Sequence, residues 1–214
     1  MEKLAIFDVD FTITKRETLL EFYLFMVKKH PILIFHAPMA LISSFLFLIG
    51  FMKAKTSKQI FLEFINGITD EKMDSIVDEF YKNRLSKILY KDAINEIKKL
   101  KSLGYKIYLI SASPEFYLNT LYNIKEVDKI IGSVFLKKNG KYSNKMNGNN
   151  CKGNEKVIRL KKYLKSENIE VDFKNSYMFS DSLSDLPLLR LVGNPYLINF
   201  KKKNTMGIKV LSWK

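Results

Sequence analysis

The stretch KLAIFDVDFT, residues 3–12, joins an apolar run to two carboxylates that stand one residue apart. The run at 3–7 is typical of a short strand buried in a parallel sheet. Two like charges this close repel each other, and the end of a strand offers little to shield them. The sequence therefore predicts that this strand ends in a functional pair, Asp8 and Asp10.

Predicted strands and helices alternate after a long helical block that follows the first strand. Runs rich in β-formers predict further strands at 105–111, 176–180, 194–200 and 208–214. Amphipathic patterns predict helices at 91–104, 114–123 and 154–167. The alternation favours an α/β fold with a parallel sheet, and the block favours an inserted all-helical cap. We expect a discontinuous core at 1–15 and 86–214 and a cap at 16–85.

Local signals give some of the expected boundaries. Thr69 or Asp70 is suited to cap a cap helix, and Gly104 is suited to end the first core helix. Asn139-Gly140 predicts a turn between two strands within residues 129–146.

Composition narrows the possible partners and the compartment. The chain has 214 residues and a net charge of +14, which favours anionic partners such as phosphate esters, nucleic acid or acidic lipid. A surface of solvated lysines is the alternative explanation. The single cysteine, Cys151, allows no internal disulfide, and the N-terminus lacks the pattern of a signal peptide. We expect a cytoplasmic protein.

Three predicted strands end in polar residues, in the segments DVDFT, SAS and SDSLSD. Because ligands bind at the carboxyl ends of strands in open α/β sheets, these ends can meet in one crevice. That crevice would hold Asp8, Asp10, Thr12, Ser111, Ser113, Asp181 and Asp185. Clustered carboxylates need a counter-charge such as Mg²⁺, and a nearby lysine can bind a phosphate.

These segments resemble the four motifs of the haloacid-dehalogenase-like phosphohydrolases. DVDFT is similar to the first motif, Asp-x-Asp-x-Thr, and YLISASPEF is similar to the second. Lys156 in CKGNEKVIRL fits the third motif, and FSDSLSDLPLL fits the fourth. The motifs occur in the family's order between residues 4 and 189. The pattern is most similar to the phosphoserine-phosphatase-like branch, which implies a Rossmann-like core and a helical cap after the first motif.

The resemblance also implies a role for each matching residue. Asp8 would be the nucleophile that forms an aspartyl-phosphate, and Asp10 the general acid and then the general base. Mg²⁺ would bind the carboxylates of Asp8 and Asp181 and the backbone carbonyl of Asp10. Asp185 would support the metal or orient the lysine. The phosphate would contact Ser111, Lys156, Thr12, Ala112 and Ser184.

The chain departs from its relatives at positions near the substrate. Phe11 stands where a small residue is common, so it narrows the entrance and shapes the leaving-group pocket. Ala112 and Ser184 replace a common glycine and a common asparagine. Glu17 matches the acid that reads a substrate amino group. Because SKQIFLEFINGI offers no arginine for a substrate carboxylate, phosphoserine itself is disfavoured.

Several of these residues have a purely structural alternative. Ser113 precedes a proline and fits a helix N-cap better than Ser111, which leaves Ser111 for phosphate. Asp185 could equally cap the helix that follows it. Lys152 competes with Lys156, although the GNEK spacing favours Lys156. Cys151 is expected to pack in the interior, because no histidine partner is apparent.

Residues 31–52 carry no Lys, Arg, Asp or Glu. We expect a buried or semi-exposed cap helix, with His30 and His36 as cap residues. A helix lying on an anionic membrane surface is the first alternative, and it would make the substrate an amphiphilic phosphate. A true span is the last, since prolines and a histidine leave only 39–52 uninterrupted.

The sequence thus predicts a Mg²⁺-dependent hydrolase of a small phosphorylated metabolite. One alternative acts on an amphiphilic or lipid-linked phosphate and associates peripherally with an anionic membrane surface through the cap. A phosphotransferase is another, and a non-catalytic basic module on the same fold is the third. We expect no nucleic-acid partner, because no basic-aromatic platform is recognisable.

Overall fold

The computed structural model describes all 214 residues, Met1–Lys214. The strands are β1 (Leu4–Phe7), β2 (Lys106–Pro114), β3 (Val127–Ser133), β4 (Phe135–Lys138), β5 (Lys141–Met146), β6 (Tyr177–Ser180), β7 (Asn194–Ile198) and β8 (Lys209–Leu211). The helices are α1 (Thr18–Lys29), α2 (Ala37–Leu48), α3 (Ala54–Phe61), α4 (Asp70–Asn83), α5 (Lys91–Ser102), α6 (Glu115–Leu118), α7 (Asn154–Ser166) and α8 (Leu186–Leu189). Short 3₁₀ helices lie at Pro31–His36, Glu63–Ile65, Leu85–Ile88, Asn119–Asn123, Phe173–Asn175 and Leu183–Asp185.

Six strands form one parallel sheet in the order β3-β2-β1-β6-β7-β8. All four residues of β1 are buried, because its apolar side chains alternate between the two covered faces of the sheet. Phe7 packs into one hydrophobic cluster and Ile6 into the other. The α/β prediction is confirmed. The strand order reverses between β1 and β6, so the carboxyl end of β1 lies at a topological switch point, where ligands bind in such sheets.

The chain leaves the sheet after β1 and returns through a narrow neck. There Lys15 N–H donates to the Ile88 carbonyl, and Tyr90 N–H donates to the Ile13 carbonyl, at 2.7 and 2.9 Å. The helices between these points form the cap. Phe22 of α1 packs against Phe80 of α4, with ring centroids 5.2 Å apart, so the cap has an aromatic interior.

The local boundary signals mostly hold. The Thr69 side chain accepts from Lys72 N–H at the start of α4, and Gly104 follows α5 with a φ of +84°. Asn139 and Gly140 both have positive φ and form the turn between β4 and β5. The prediction of one strand before that turn is wrong, because β3 joins the main sheet and β4 starts a separate hairpin.

The β4–β5 hairpin covers one side of the cap. Gly67 N–H donates to the Tyr142 carbonyl at 2.9 Å, and Tyr142 N–H donates to the Ile68 carbonyl at 2.8 Å. The Asn144 side chain also donates to the Gln59 carbonyl in α3. The hairpin, which is distant from the cap in sequence, therefore holds the cap in place through residues 67–68 and through α3.

The uncharged run forms the 3₁₀ helix Pro31–His36 and then α2. Residues Pro31–Leu48 have a mean hydropathy of 1.9, which passes a length-and-composition test for crossing a membrane, and only 11% of them are buried. Ala40 and Ser43 are the buried residues of α2. Of the two forms expected, a buried or a semi-exposed cap helix, the structure has the semi-exposed one, because most of this helix faces outward.

Candidate active site

A cavity of 510 Å³ opens where the carboxyl ends of β1, β2 and β6 meet the cap. Ten of the residues predicted for the site line it: Asp8, Asp10, Phe11, Glu17, Ala112, Ser113, Lys156, Asp181, Ser184 and Asp185. Thr12 and Ser111 are fully buried and do not reach its wall. The predicted phosphate contacts of those two side chains stay predictions.

Asp8 extends the sheet by one residue beyond β1. Its N–H donates to the Phe179 carbonyl at 2.9 Å, which fixes the start of the loop. The Val9 carbonyl then accepts from the N–H groups of Thr12, Ile13 and Thr14. Phe11 sits in this turn with a φ of +56°. The chain therefore reverses just after Asp10, which keeps both acids at the carboxyl end of the central strand β1.

Lys156 lies between two carboxylates in the first turn of α7. Its Nζ is 2.6 Å from Asp8 Oδ1 and 2.6 Å from Asp185 Oδ2. Gly153, with a φ of +58°, turns the chain into this helix, a conformation that glycine adopts at little cost. Burial by itself would lower the pKa of Lys156, but the two carboxylates raise it above its usual value. Lys152 also lines the cavity but is not part of this ion pair.

Asp185 is held from two sides. Ser180 Oγ donates to the same Oδ2 that Lys156 contacts, at 2.9 Å. Asp185 occupies the N-cap position of α8 but makes no side-chain cap bond, so the capping alternative is wrong: its carboxylate is bound to the lysine instead. Its other oxygen, Oδ1, is buried without a hydrogen-bond partner. A buried polar atom in this state is a candidate contact for a cation or ligand.

Burial disfavours negative charge on the acids at the cavity floor. It raises the pKa of Asp8, an effect that Asp185 and Asp10 reinforce and Lys156 opposes. Burial, with the nearby Asp185 carboxylate, also raises the pKa of Asp181 to about 6. Thr12 Oγ1 accepts the Asp181 N–H at 2.9 Å, so Thr12 orients the Asp181 loop.

Asp10 sits in a cage of hydrogen bonds. Its Oδ1 accepts from both the N–H and the hydroxyl of Thr18, each at 2.7 Å. Its Oδ2 accepts from Ser113 Oγ at 2.7 Å and from Ser111 Oγ at 3.3 Å. The Tyr117 hydroxyl lies 3.1 Å from the Thr18 hydroxyl, within hydrogen-bond distance. Because a backbone N–H can only donate, a proton on Asp10 would sit on Oδ2, where hydroxyls can donate or accept.

This cage corrects the prediction for Ser113. The N-cap residue of α6 is Pro114, with no side-chain cap bond, and the Ser113 hydroxyl turns to Asp10 instead. A carboxylate is a stronger partner than a helix end because its hydrogen bonds are charge-assisted. Sequence reasoning also missed Thr18 and Tyr117; their only signal was that they follow the first and second motifs by a few residues.

Two charged residues of the cap face the cavity. Glu17 caps α1 by accepting the Leu20 N–H at 3.1 Å, and burial raises its pKa to about 7. Lys58 of α3 donates to the Ala112 carbonyl at 2.7 Å and to Asn150 Oδ1 at 3.0 Å. Burial lowers the pKa of Lys58 to about 8. Lys58 was not predicted, and it ties the cap to the core across the cavity.

The cysteine and the histidines stand apart from this chemistry. Cys151 is buried, and burial raises the pKa of its thiol to about 12, which suits the predicted packing role. His30 and His36 lie in the cap and do not line the cavity.

The cavity has the donors for a hard cation. Five carboxylates line it, those of Asp8, Asp10, Glu17, Asp181 and Asp185, against the three ammonium groups of Lys58, Lys152 and Lys156. An anionic substrate entering this surplus of negative charge needs further positive charge. No three Asp, Glu, His or Cys side chains form a metal-binding cluster, so backbone carbonyl, water or phosphate oxygens would complete the coordination of a cation. The oxygen donors and the unpartnered Asp185 Oδ1 fit Mg²⁺.

Comparison with known proteins agrees with the motifs. The model for haloacid dehalogenase-like hydrolases matches residues 5–190. Histidinol-phosphatase of Neisseria meningitidis serogroup C is 29% identical over 119 residues, which cover 52% of this chain and 53% of that protein. The chain thus spans about half the length of the curated relatives that it matches.

Solved structures share the fold over nearly the whole chain. A protein of unknown function from Bordetella pertussis Tohama I has a TM-score of 0.88 at 18% identity, over 99% of this chain and 98% of that one. A substrate-bound phosphoserine phosphatase has a TM-score of 0.64 at 19% identity, over 94% of this chain and 88% of that one. With four ordered motifs, a matching family model and this shared fold, the chain belongs to the haloacid dehalogenase-like hydrolase family.

Proposed function

We propose that this protein hydrolyses phosphomonoesters through an aspartyl-phosphate on Asp8. The observation that carries the proposal is the buried Lys156, which holds Asp8 and Asp185 at 2.6 Å in the cavity that Asp10 also lines. Asp8 is thereby fixed beside a positive charge, and Asp10 stands two residues away. Asp8 and Asp10 together provide a carboxylate nucleophile and a separate proton carrier at one site.

In the first step, an Asp8 oxygen attacks phosphorus, and the bond from phosphorus to the leaving oxygen breaks. The leaving oxygen keeps the electron pair and takes the proton from Asp10. In the second step, Asp10 removes a proton from water, whose oxygen attacks phosphorus. The bond to Asp8 then breaks, which releases phosphate and restores the Asp8 carboxylate.

The remaining polar groups prepare these steps. Thr18 and Ser113 hold the Asp10 carboxylate from both of its oxygens. The carboxylates of Asp8 and Asp181, with the Asp10 carbonyl, would hold Mg²⁺. When bound, the cation supplies positive charge that offsets repulsion between Asp8 and a phosphate dianion. Ala112 and Ser184 line the cavity and are the proposed phosphate contacts of the loops.

The substrate we favour is a small phosphorylated metabolite other than phosphoserine. No arginine lines the cavity. In the cap, Arg16 and Arg84 both pair with the buried Glu21, so neither is free to read a substrate carboxylate. Glu17 and Phe11 line the wall where a leaving group would lie, and we propose them as specificity residues.

A second candidate is an amphiphilic phosphomonoester. Leu20, Leu41, Phe47 and Phe61 contribute apolar side chains to the cavity, and Leu41 is 70% exposed at its mouth. An alkyl chain could leave the cavity along these side chains.

A phosphate-release screen over many phosphomonoesters with Mg²⁺ tests the proposal. Wild type should release phosphate from at least one of them, and Asp8→Asn should lose about 10³-fold or more of that activity. Asp74→Asn, an exposed position on α4, is the matched control and should keep full activity. Activity that persists in Asp8→Asn would rule out the nucleophile.

Two rival functions give different results in the same screen. A phosphotransferase would form a new phosphomonoester when an acceptor alcohol is added, whereas a hydrolase releases phosphate alone. A non-catalytic binding module would turn over no compound under any condition. The second rival is disfavoured because none of the catalytic residues of the family pattern is lost, although Phe11, Ala112 and Ser184 depart from it.

A further inference from the structure

The cap exposes many large apolar side chains within one short stretch of the chain. Ten of the chain's twenty exposed large hydrophobic residues fall between residues 32 and 51. We call this set the apolar cap face: Ile32, Ile34, Phe35, Met39, Leu41, Ile42, Phe45, Leu48, Ile49 and Phe51. Single exposed apolar side chains are ordinary, but a contiguous cluster marks an interaction surface.

The charges that flank this face along the chain are all positive, although one of them, Lys29, is paired with Glu79 of α4. No Asp or Glu occurs from residue 22 to residue 62, while Lys28, Lys53 and Lys55 flank the run on both sides. Lys28 and Lys53 are exposed. An apolar face flanked by lysines, on a stretch of chain that carries no acid, is complementary to a bilayer that carries anionic headgroups.

The packing of the cap makes this face lie on a bilayer rather than cross it. Met26 near the end of α1 and Leu62 just after α3 belong to the same hydrophobic cluster. Both ends of the apolar run are therefore anchored on one side. The small residues Ala40 and Ser43 bury the inner side of α2, and Ser43 contacts Ser57 of α3 at 3.5 Å. A spanning helix would have to break this packing.

The apolar cap face is continuous with the candidate active site. Leu41 belongs to the face and also lines the cavity, and its helix neighbours Ser44 and Phe47 line the cavity too. A molecule whose phosphate reached Asp8 would therefore have its other end directed along α2 toward the face. Phe11 and Leu20 are also exposed where they line the cavity, but Leu41 is the lining residue that belongs to the apolar cap face.

We propose that the apolar cap face docks on anionic lipid bilayers, and that the cavity takes phosphomonoesters whose apolar tail remains in the bilayer. The substrate class rests on the proposed hydrolase function, whereas the docking rests on the surface alone. The face buries its apolar side chains among acyl chains, and the flanking lysines contact the headgroups.

Vesicle flotation tests the docking without any assay of activity. Wild type should float with vesicles of equal parts phosphatidylcholine and phosphatidylglycerol, and less so with phosphatidylcholine alone or at high salt. A variant with Phe35→Ser, Leu48→Ser and Phe51→Ser should lose about tenfold or more of its affinity for these vesicles. These three side chains do not line the cavity. Leu103→Ser, Leu136→Ser and Ile158→Ser, also exposed, form the matched control and should bind like wild type.

Kinetics on two substrates tests the second half of the proposal. Wild type should hydrolyse a long-chain alkyl phosphate in those vesicles with a higher kcat/KM than the same headgroup on a short chain. The triple variant of the face should lose this preference and keep its rate on the short-chain compound. Equal kcat/KM for both chain lengths would overturn the substrate class.

The outcomes separate the two proposals. A protein that floats but turns over no phosphomonoester supports the docking and contradicts the hydrolase function. A protein that hydrolyses soluble phosphomonoesters but binds no vesicle overturns the docking. If wild type is a dimer by light scattering, the face variant is a monomer, and neither floats, the face is an interface between two copies and the membrane proposal is wrong.

Discussion

Replacing Thr18 with valine would remove one hydroxyl from the centre of the Asp10 cage while keeping the side chain's shape. In the wild type this hydroxyl is 2.7 Å from Asp10 Oδ1 and 3.1 Å from both the Ser113 and the Tyr117 hydroxyls. Thr18 and Tyr117 are fully buried, so water cannot replace the lost partner. The substitution therefore removes a charge-assisted hydrogen bond and one hydrogen-bond partner of the buried Tyr117 hydroxyl.

The magnitude follows from these two losses. A hydrogen bond to a charged group contributes about 1.5–3 kcal/mol, and a neutral hydrogen bond such as the one to Tyr117 contributes about 0.5–1.5 kcal/mol. Because the groups belong to one network, the losses are not additive, and we expect Thr18→Val to lower the free energy of unfolding by about 2–4 kcal/mol. A displaced Asp10 should also lower kcat by about 10- to 100-fold, with little change in KM.

Urea denaturation and steady-state kinetics measure both effects. Thr18→Ser keeps the hydroxyl and should recover most of kcat, which a loss through misfolding would not allow. Thr56→Val, at an exposed position on α3, is the matched control and should change neither quantity. If Thr18→Val were within about 0.5 kcal/mol of wild type with unchanged kcat, the cage would have no role in holding Asp10.

Three further predictions concern charge. Lys156→Met leaves Asp8 and Asp185 buried without their counter-charge, so urea denaturation should show a loss of about 3–5 kcal/mol. A stability equal to wild type would contradict the ion pair. Burial raises the pKa of Glu17 from 4.5 to about 7, so the folded protein keeps a proton there that the unfolded chain releases. Wild type should therefore lose stability relative to Glu17→Gln as the pH rises from 4.5 to 7. Parallel curves of unfolding free energy against pH for the two proteins would show that burial does not raise the pKa of Glu17. Mg²⁺ at about a hundredfold excess over its Kd should stabilise wild type by about 2.7 kcal/mol in thermal unfolding, and Asp181→Asn should lose most of this shift. An equal shift in both proteins would place the cation elsewhere.

The core of the fold and most of the site could be predicted because their signals are local. An apolar run followed directly by polar residues marks the end of a buried parallel strand, and β1 and β6 both show this pattern. Strand ends converge in any parallel sheet, so Asp8 and Asp181 could be expected to share a crevice before their distance was known. Lys156 required the family's motif order, since its partner Asp8 is 148 residues away.

The residues that sequence reasoning missed or misassigned depend on long-range contacts. Ser113 precedes a proline, a strong local signal for a helix cap, but a carboxylate from a loop 103 residues away takes its hydroxyl. Lys58 lies on an amphipathic helix whose lysines look alike in sequence. Only the cap's position over the core directs it to the Ala112 carbonyl.

The apolar run shows the limit of hydropathy patterns. A long uncharged segment is compatible with a buried helix, a surface helix or a span, because each satisfies the same composition. The deciding facts are the burial of Ala40 and Ser43 alone within α2 and the anchoring of both neighbouring helices in one hydrophobic cluster. Neither fact can be read from residues 31–52 by themselves.

Trapping the covalent intermediate tests the role of Asp8 most directly. Asp10→Asn should slow hydrolysis more than phosphoryl transfer when the substrate has a good leaving group, so the phosphorylated enzyme should accumulate. Acid quench and peptide mass spectrometry should then find one phosphoryl group, labile to hydroxylamine, on the peptide that contains Asp8. The double variant with Asp8→Asn should carry none. A phosphoryl group on any other residue, or turnover by wild type with no trapped acyl-phosphate, would contradict the proposed mechanism.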